Sequence, residues 1–124
     1  MTLQLLVRFK AGLPIEAIEN IESNLYDLPL LQQHPNRFGL HVKGNSMINK
    51  GIFEGDIAII DTQKQILSGQ VVAAKVNNDV TLKTYKKINQ SHELHPENAD
   101  YEIILLNKHD HIIGTCIGVI RSLT

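Results

Sequence analysis

With one cysteine, Cys116, the chain has no internal disulfide and fits a reducing compartment. It also lacks a surplus of either charge: 12 Lys and Arg face 13 Asp and Glu, for a formal net charge of -1. A chain so balanced has no general attraction to nucleic acid or to a membrane surface, and DNA binding would need a dedicated element. Long apolar runs are missing as well. Leu3 to Val7 is too short for the core of a signal peptide, and its basic residues, Arg8 and Lys10, follow it. The segment from Ile112 to Ile120 is broken by Gly114, Thr115 and Gly118 and falls short of the roughly 20 residues of a membrane span. A soluble, cytoplasmic protein with a retained N-terminal arm is expected. Repeats, low-complexity tracts and internal linkers are also lacking, so 124 residues with 43% hydrophobic content suggest one domain around one core. The one hinge is Ala11-Gly12, with Leu13-Pro14 behind it.

What is present divides near Pro35. Ile15, Ile18, Ile21 and Leu25 recur at three- and four-residue intervals behind Pro14, which predicts a short amphipathic helix over 13–25. Asp27 is placed to cap a further helical turn through Leu28, Leu30 and Leu31, ending before Pro35. From Phe38 onward the pattern is short alternating or β-branched runs: FGLHVK, IAIID, QVVAAKV, VTLKTY, ELHP, YEIILL and HIIGTCIGVI. Turn formers separate them, notably Lys50-Gly51, Glu54-Gly55-Asp56, Leu67-Ser68-Gly69 and Pro96-Glu97-Asn98, with Asn77-Asn78-Asp79 suited to a hairpin. A mostly β fold follows.

Three sets of residues invite chemistry. His92-Glu93-Leu94-His95 and His109-Asp110-His111 are the tightest histidine groups, yet neither has cysteine support or zinc-site spacing, so no metal or other cofactor is expected. Lys75, Lys83, Lys86 and Lys87 surround the Asn77 hairpin, where a solvated edge accounts for most of them. In a strand, Lys83 shares a face with Thr81 and Tyr85, an arrangement that permits an exposed or a covered lysine. Ser46 lies in HVKGNSMINKGIFEGD, where strand-like sequence meets a bend; it is either a turn residue or a nucleophile. A serine hydroxyl needs a base, and lysine serves in known serine-lysine pairs. An ordinary lysine is neutral in only about one molecule in 2,500 at pH 7, so a lysine base must be desolvated.

These motifs, in order, resemble the LexA/UmuD family of self-cleaving proteins of the bacterial SOS response and the related phage repressors. GNSM at 44–47 is similar to the family's Gly-x-Ser-Met nucleophile motif, and GIFEGDIAIID at 51–61 to its following turn and strand. SGQVVAAKVNNDVTLK at 68–83 is similar to the hairpin that ends in its catalytic lysine. HPENADY at 95–101 and IGVIRS at 117–122 match its closing strands. The resemblance covers residues 11–122, and the 37-residue separation of Ser46 and Lys83 fits the family pattern.

The resemblance implies a fold of highly curved antiparallel sheets with a short N-terminal helix. It implies Ser46 as nucleophile and Lys83 as neutral general base. Gly44, Asn45 and Met47 would position substrate or oxyanion, with the main-chain amides of Asn45 and Ser46 as the oxyanion donors. Family members cut themselves at Ala-Gly or Cys-Gly about 35 residues before the serine, which points to the Ala11-Gly12 bond. An arm of residues 1–11 would thus be removed from a peptidase and dimerisation domain of residues 12–124. Eleven residues cannot hold the helix-turn-helix domain of LexA, so a UmuD-like architecture is expected, supported by DLPLLQQHP at 27–35. The implied partners are a second copy, a RecA filament on single-stranded DNA and a UmuC-like error-prone translesion polymerase, without direct DNA binding. The alternative is a dimeric binding module, either polymerase subunit or repressor dimerisation domain, in which cleavage is vestigial.

Overall fold

Alternation places Phe38, Leu40 and Val42 of β2 (Arg37–Val42) in the interior, while β3 (Ile57–Asp61) buries four successive residues and so is covered on both faces. The computed structural model describes residues 3–8 and 35–121. The remaining strands are β1 (Leu3–Arg8), β4 (Val71–Val76), β5 (Asp79–Ile88), β6 (Ser91–His95), β7 (Ile104–Leu105) and β8 (His111–Ile120). All join one antiparallel sheet in the order β1-β2-β3-β8-β4-β5-β6-β7. The sheet curls strongly enough that β1, at one edge, approaches β5.

The curl has local causes in β8. Ile117 is an extra residue opposite β3, and Ile113 an extra residue opposite β4; each bulge bends the strand and increases its twist. Gly114 lies between them at a close backbone approach: a Cβ there would lie 2.6 Å from the Asp61 carbonyl oxygen and 2.8 Å from Ile60 Cγ2. Gly114→Ala is therefore expected to destabilise the fold by about 2 kcal/mol, read as a lower midpoint in urea unfolding.

Curling creates two apolar clusters on the two faces of β4. Ala73 joins Leu40, Val42, Met47, Ala58, Ile60 and Leu82, whereas Val72 and Ala74 join Tyr85 and Leu94. The Asn77-Asn78 hairpin forms as the sequence suggests, with φ of 52° and 68° at its two central residues, the left-handed pair of a type I′ turn.

Several boundaries differ from the sequence reading. β5 runs past Tyr85 to Ile88, and a second hairpin at Asn89-Gln90, with Asn89 at φ 56°, returns the chain through β6. YEIILL shrinks to the two residues of β7, which among the described residues pairs only with β6 and leaves Ile103 and Leu105 exposed. Leu3–Arg8, read as an arm, pairs with the β2 edge from Leu3 opposite Val42 to Arg8 opposite Phe38, because that edge offers unpaired backbone groups. The helix expected over 13–25, the turn after Asp27 and the Ala11-Gly12 bond lie outside the described residues. Among those described, no helix is long and apolar enough to cross a membrane.

Candidate active site

β2 ends at Val42, and the chain leaves the sheet through Gly44, whose φ of 78° belongs to the left-handed region that glycine enters without steric cost. The bend delivers Asn45, Ser46 and Met47 to a 3-10 turn, Ile48–Lys50, closed by the Gly51 N–H donating to the Ile48 carbonyl at 2.9 Å. Met47 is fully buried in the main apolar cluster, and its side chain thereby anchors the backbone that carries Ser46. Gly44 donates its N–H to Glu54 Oε1 at 3.0 Å.

From the other side comes β5. Lys83 pairs across the strands with Val72 and shares its face with Thr81 and Tyr85, and Val72 and Tyr85 both belong to the second apolar cluster. Its Nζ lies 3.2 Å from Ser46 Oγ and 2.6 Å from Thr81 Oγ1. Ser46 is 0% exposed and Lys83 3%. Burial pushes the Lys83 ammonium below the ordinary lysine value, because removing the cation from water disfavours it relative to the neutral amine. Periodicity left Lys83 undecided between solvent and cover; the curl of the sheet supplies the cover. Lys75, Lys86 and Lys87 are exposed.

A third segment, the turn at Pro96-Glu97-Asn98, holds the serine loop. The Glu97 N–H donates to the Ser46 carbonyl at 2.7 Å, and the Asn49 N–H donates to the Glu97 carbonyl at 2.9 Å. Asn98 Nδ2 donates to the Asn45 carbonyl at 2.8 Å. Glu97 also reaches β5, where its Oε2 accepts from Thr84 Oγ1 at 2.8 Å. The 97–98 loop thus braces the serine turn against the lysine strand. Turn chemistry in Pro96-Glu97-Asn98 was visible in the sequence; its partners, about 50 residues earlier, were not.

The loop between the serine turn and β3 is fixed by charge. Asp56 is buried and meets Arg121 in a two-pronged pair, Nε to Oδ1 at 2.6 Å and Nη2 to Oδ2 at 2.7 Å. Arg121 Nη2 also donates to the Gly51 carbonyl at 2.8 Å, and its guanidinium lies over the Phe53 ring at 4.7 Å. Burial alone would raise the Asp56 carboxyl; hydrogen bonds from Arg121 and the Phe53 N–H, with the Arg121 charge, outweigh it and hold the group below its usual value. Such pairing of the Gly-Asp turn with the end of β8 lies outside what periodicity reveals.

The histidines form a different pattern. His95 Nε2 meets Glu93 Oε1 at 2.8 Å, and His92 Nδ1 meets the Tyr85 hydroxyl at 2.6 Å. No group of three or more His, Cys, Asp or Glu converges as metal ligands among the described residues.

A buried serine beside a buried, desolvated lysine is chemistry that a peptidase can use, and comparison with known proteins points the same way. Residues 4–117 match the peptidase S24-like family. The chain is 35% identical over 123 residues to a LexA repressor of Proteus mirabilis, covering 97% of this chain and 61% of that protein. A LexA repressor of Shewanella pealeana is 39% identical over 123 residues, 97% of this chain and 60% of the relative. One from Clostridium tetani is 39% identical over 114 residues, 90% and 56%. This chain therefore spans under two thirds of the length of these relatives. With the family match running from β1 into β8 and including both Ser46 and Lys83, the chain belongs to the peptidase S24-like family.

Proposed function

We propose that the chain is an SOS-type autoprotease in which Ser46 and Lys83 cut the Ala11-Gly12 bond. The observation that carries this reading is the 3.2 Å approach of Lys83 Nζ to Ser46 Oγ in a site closed to solvent. A neutral Lys83 amine accepts the Ser46 hydroxyl proton while donating to Thr81 Oγ1, which keeps its lone pair turned to the serine. Ser46 Oγ attacks the Ala11 carbonyl carbon, and the oxyanion is held by the N–H groups of Asn45 and Ser46, neither of which donates to another described residue. The Lys83 ammonium returns its proton to the Gly12 nitrogen as the C–N bond breaks. Water then hydrolyses the Ala11 ester, releasing residues 1–11.

Tethering makes the attack effectively unimolecular, so the site needs little affinity for its substrate. In its pairing with β2, β1 starts opposite Val42, near the serine loop, and leaves opposite Phe38, four residues back along β2 and away from that loop. Bringing the bond beyond Arg8 to Ser46 therefore requires the arm to fold back or leave that pairing. A RecA filament on single-stranded DNA would act by favouring the docked arm, a population shift without a donated catalytic group.

Two physiological settings suit this chemistry. The UmuD-like segment DLPLLQQHP supports a processed homodimer that regulates an error-prone polymerase, whereas similarity to LexA repressors supports a cleavage and dimerisation unit whose cutting ends repression on DNA. The test of the shared chemistry is the intact mass of the chain after incubation with activated RecA, and separately at pH 9 to 10. Loss of residues 1–11 under both conditions is expected. A chain that stays full length in both rejects the autoprotease and leaves the dimeric binding module.

A further inference from the structure

Both peptides flanking Ser46 are held by their carbonyl oxygens, and a single short loop holds them. A peptide unit is planar and trans, so fixing the direction of its C=O fixes the opposite direction of its N–H. The Asn45 carbonyl belongs to the same peptide as the Ser46 N–H. It accepts from Asn98 Nδ2 at 2.8 Å and, more weakly, from the Ile48 N–H at 3.4 Å. The Ser46 carbonyl accepts from the Glu97 N–H at 2.7 Å, which fixes the next peptide. Asn98 is itself oriented, because its Oδ1 accepts the Asp100 N–H at 3.0 Å and its amide nitrogen is thereby turned to Asn45.

We propose that Asn98 is a positioning residue that aims the Ser46 N–H at the oxyanion by holding the opposite end of the same peptide. This deepens the autoprotease reading and rests on it. The Ile48 bond is too long to hold that peptide alone, and Asn45 itself is exposed, so on the Asn45 side the side-chain donor is what orients the carbonyl. Asn98 touches neither the nucleophile nor the base; its effect passes through the peptide plane.

Two substitutions separate aiming from mere loop shape. Asn98→Ala removes the donor and the acceptor for Asp100. Asn98→Asp keeps that acceptor and replaces the donor by a carboxylate oxygen, which cannot hold the Asn45 carbonyl. Since losing an oxyanion donor costs about 10²- to 10³-fold and here one is misaimed, both variants are expected to cleave about 10- to 100-fold more slowly. The pH at which the rate levels off should not move, because Lys83 is untouched, and the unfolding midpoint should stay near that of the parent. Parental rates in Asn98→Ala, recovery in Asn98→Asp, or a displaced pH inflection overturns the proposal.

Phosphonylation of Ser46 by a fluorophosphonate gives a readout that needs no arm, since its phosphoryl oxygen occupies the oxyanion position. A parent that is phosphonylated but never cut rejects self-cleavage, yet slower phosphonylation of both variants still supports the role of Asn98. Equal phosphonylation of parent and variants rejects that role.

Discussion

Lys83→Met is expected to reduce self-cleavage by about 10⁴-fold while leaving the protein folded. Loss of one member of a nucleophile-base pair typically removes most of the catalysis the pair provides, and Ser46→Ala should match it with little further loss in the double variant. Methionine keeps the unbranched stem that packs beside Val72 and Tyr85, so stability is expected to change by only about 1 kcal/mol. The two lost hydrogen bonds, to Ser46 and Thr81, are offset by removing a buried ionisable group.

The pH dependence gives this variant a second signature. A lysine whose folded pKa lies below its unfolded value binds fewer protons when folded, so it makes the parent's stability rise as pH climbs from the folded value towards about 10.5. Cleavage should rise over the same range, since in the proposed mechanism the neutral amine is the base. In Lys83→Met both slopes disappear, measurable by urea unfolding and by intact mass across pH 6 to 10. Retention of cleavage in Lys83→Met would remove Lys83 from the mechanism.

Arg121→Ala is expected to lower the urea-unfolding midpoint at pH 7 and to slow cleavage as well. The substitution leaves the Asp56 carboxylate, 1% exposed, with the main-chain N–H of Phe53 as its remaining donor among the described residues. The loss is smaller than for a fully buried pair because the Arg121 side chain is 40% exposed and partly screened by water. The pH sign is definite. In the parent, the lowered Asp56 pKa contributes stability that is present above the usual carboxylate value, near 3.8, and is lost as pH falls through the folded value. In the variant, burial is no longer opposed by Arg121, so its deficit should shrink in acid, where the carboxyl protonates. Urea midpoints of parent and variant at pH 4 and pH 7 read this directly. Arg121→Lys should rescue little, because an ammonium cannot bridge both Asp56 oxygens and the Gly51 carbonyl in one plane. An equal deficit at both pH values would rule out the buried carboxylate as its cause.

Local chemistry and tertiary packing contribute differently to this protein. Alternation of apolar residues placed β2, β3, β4 and β8 close to their observed bounds, and two asparagines able to adopt positive φ placed the β4–β5 hairpin. These are short-range properties, written in neighbouring residues. The length of β5, the Asn89-Gln90 hairpin, the reduction of YEIILL to two residues and the pairing of Leu3–Arg8 depended on which backbone partners the sheet made available.

The site divides in the same way. A serine in a glycine-led bend and a lysine 37 residues later were legible in the sequence, and family resemblance joined them as a pair. Whether Lys83 faced water was undetermined, since a strand's two-residue period is indifferent to what covers each face. Only the curl of the sheet, bent at two bulges in β8, brings β5 under the serine turn and takes the amine out of water. The Asp56–Arg121 pair, 65 residues apart, and the brace from Glu97 and Asn98 to the serine loop likewise emerge only on folding. The sequence by itself determined the candidate serine and lysine and the turns that carry them; the tertiary structure decided their burial, aim and support, because those depend on long-range packing and hydrogen bonding.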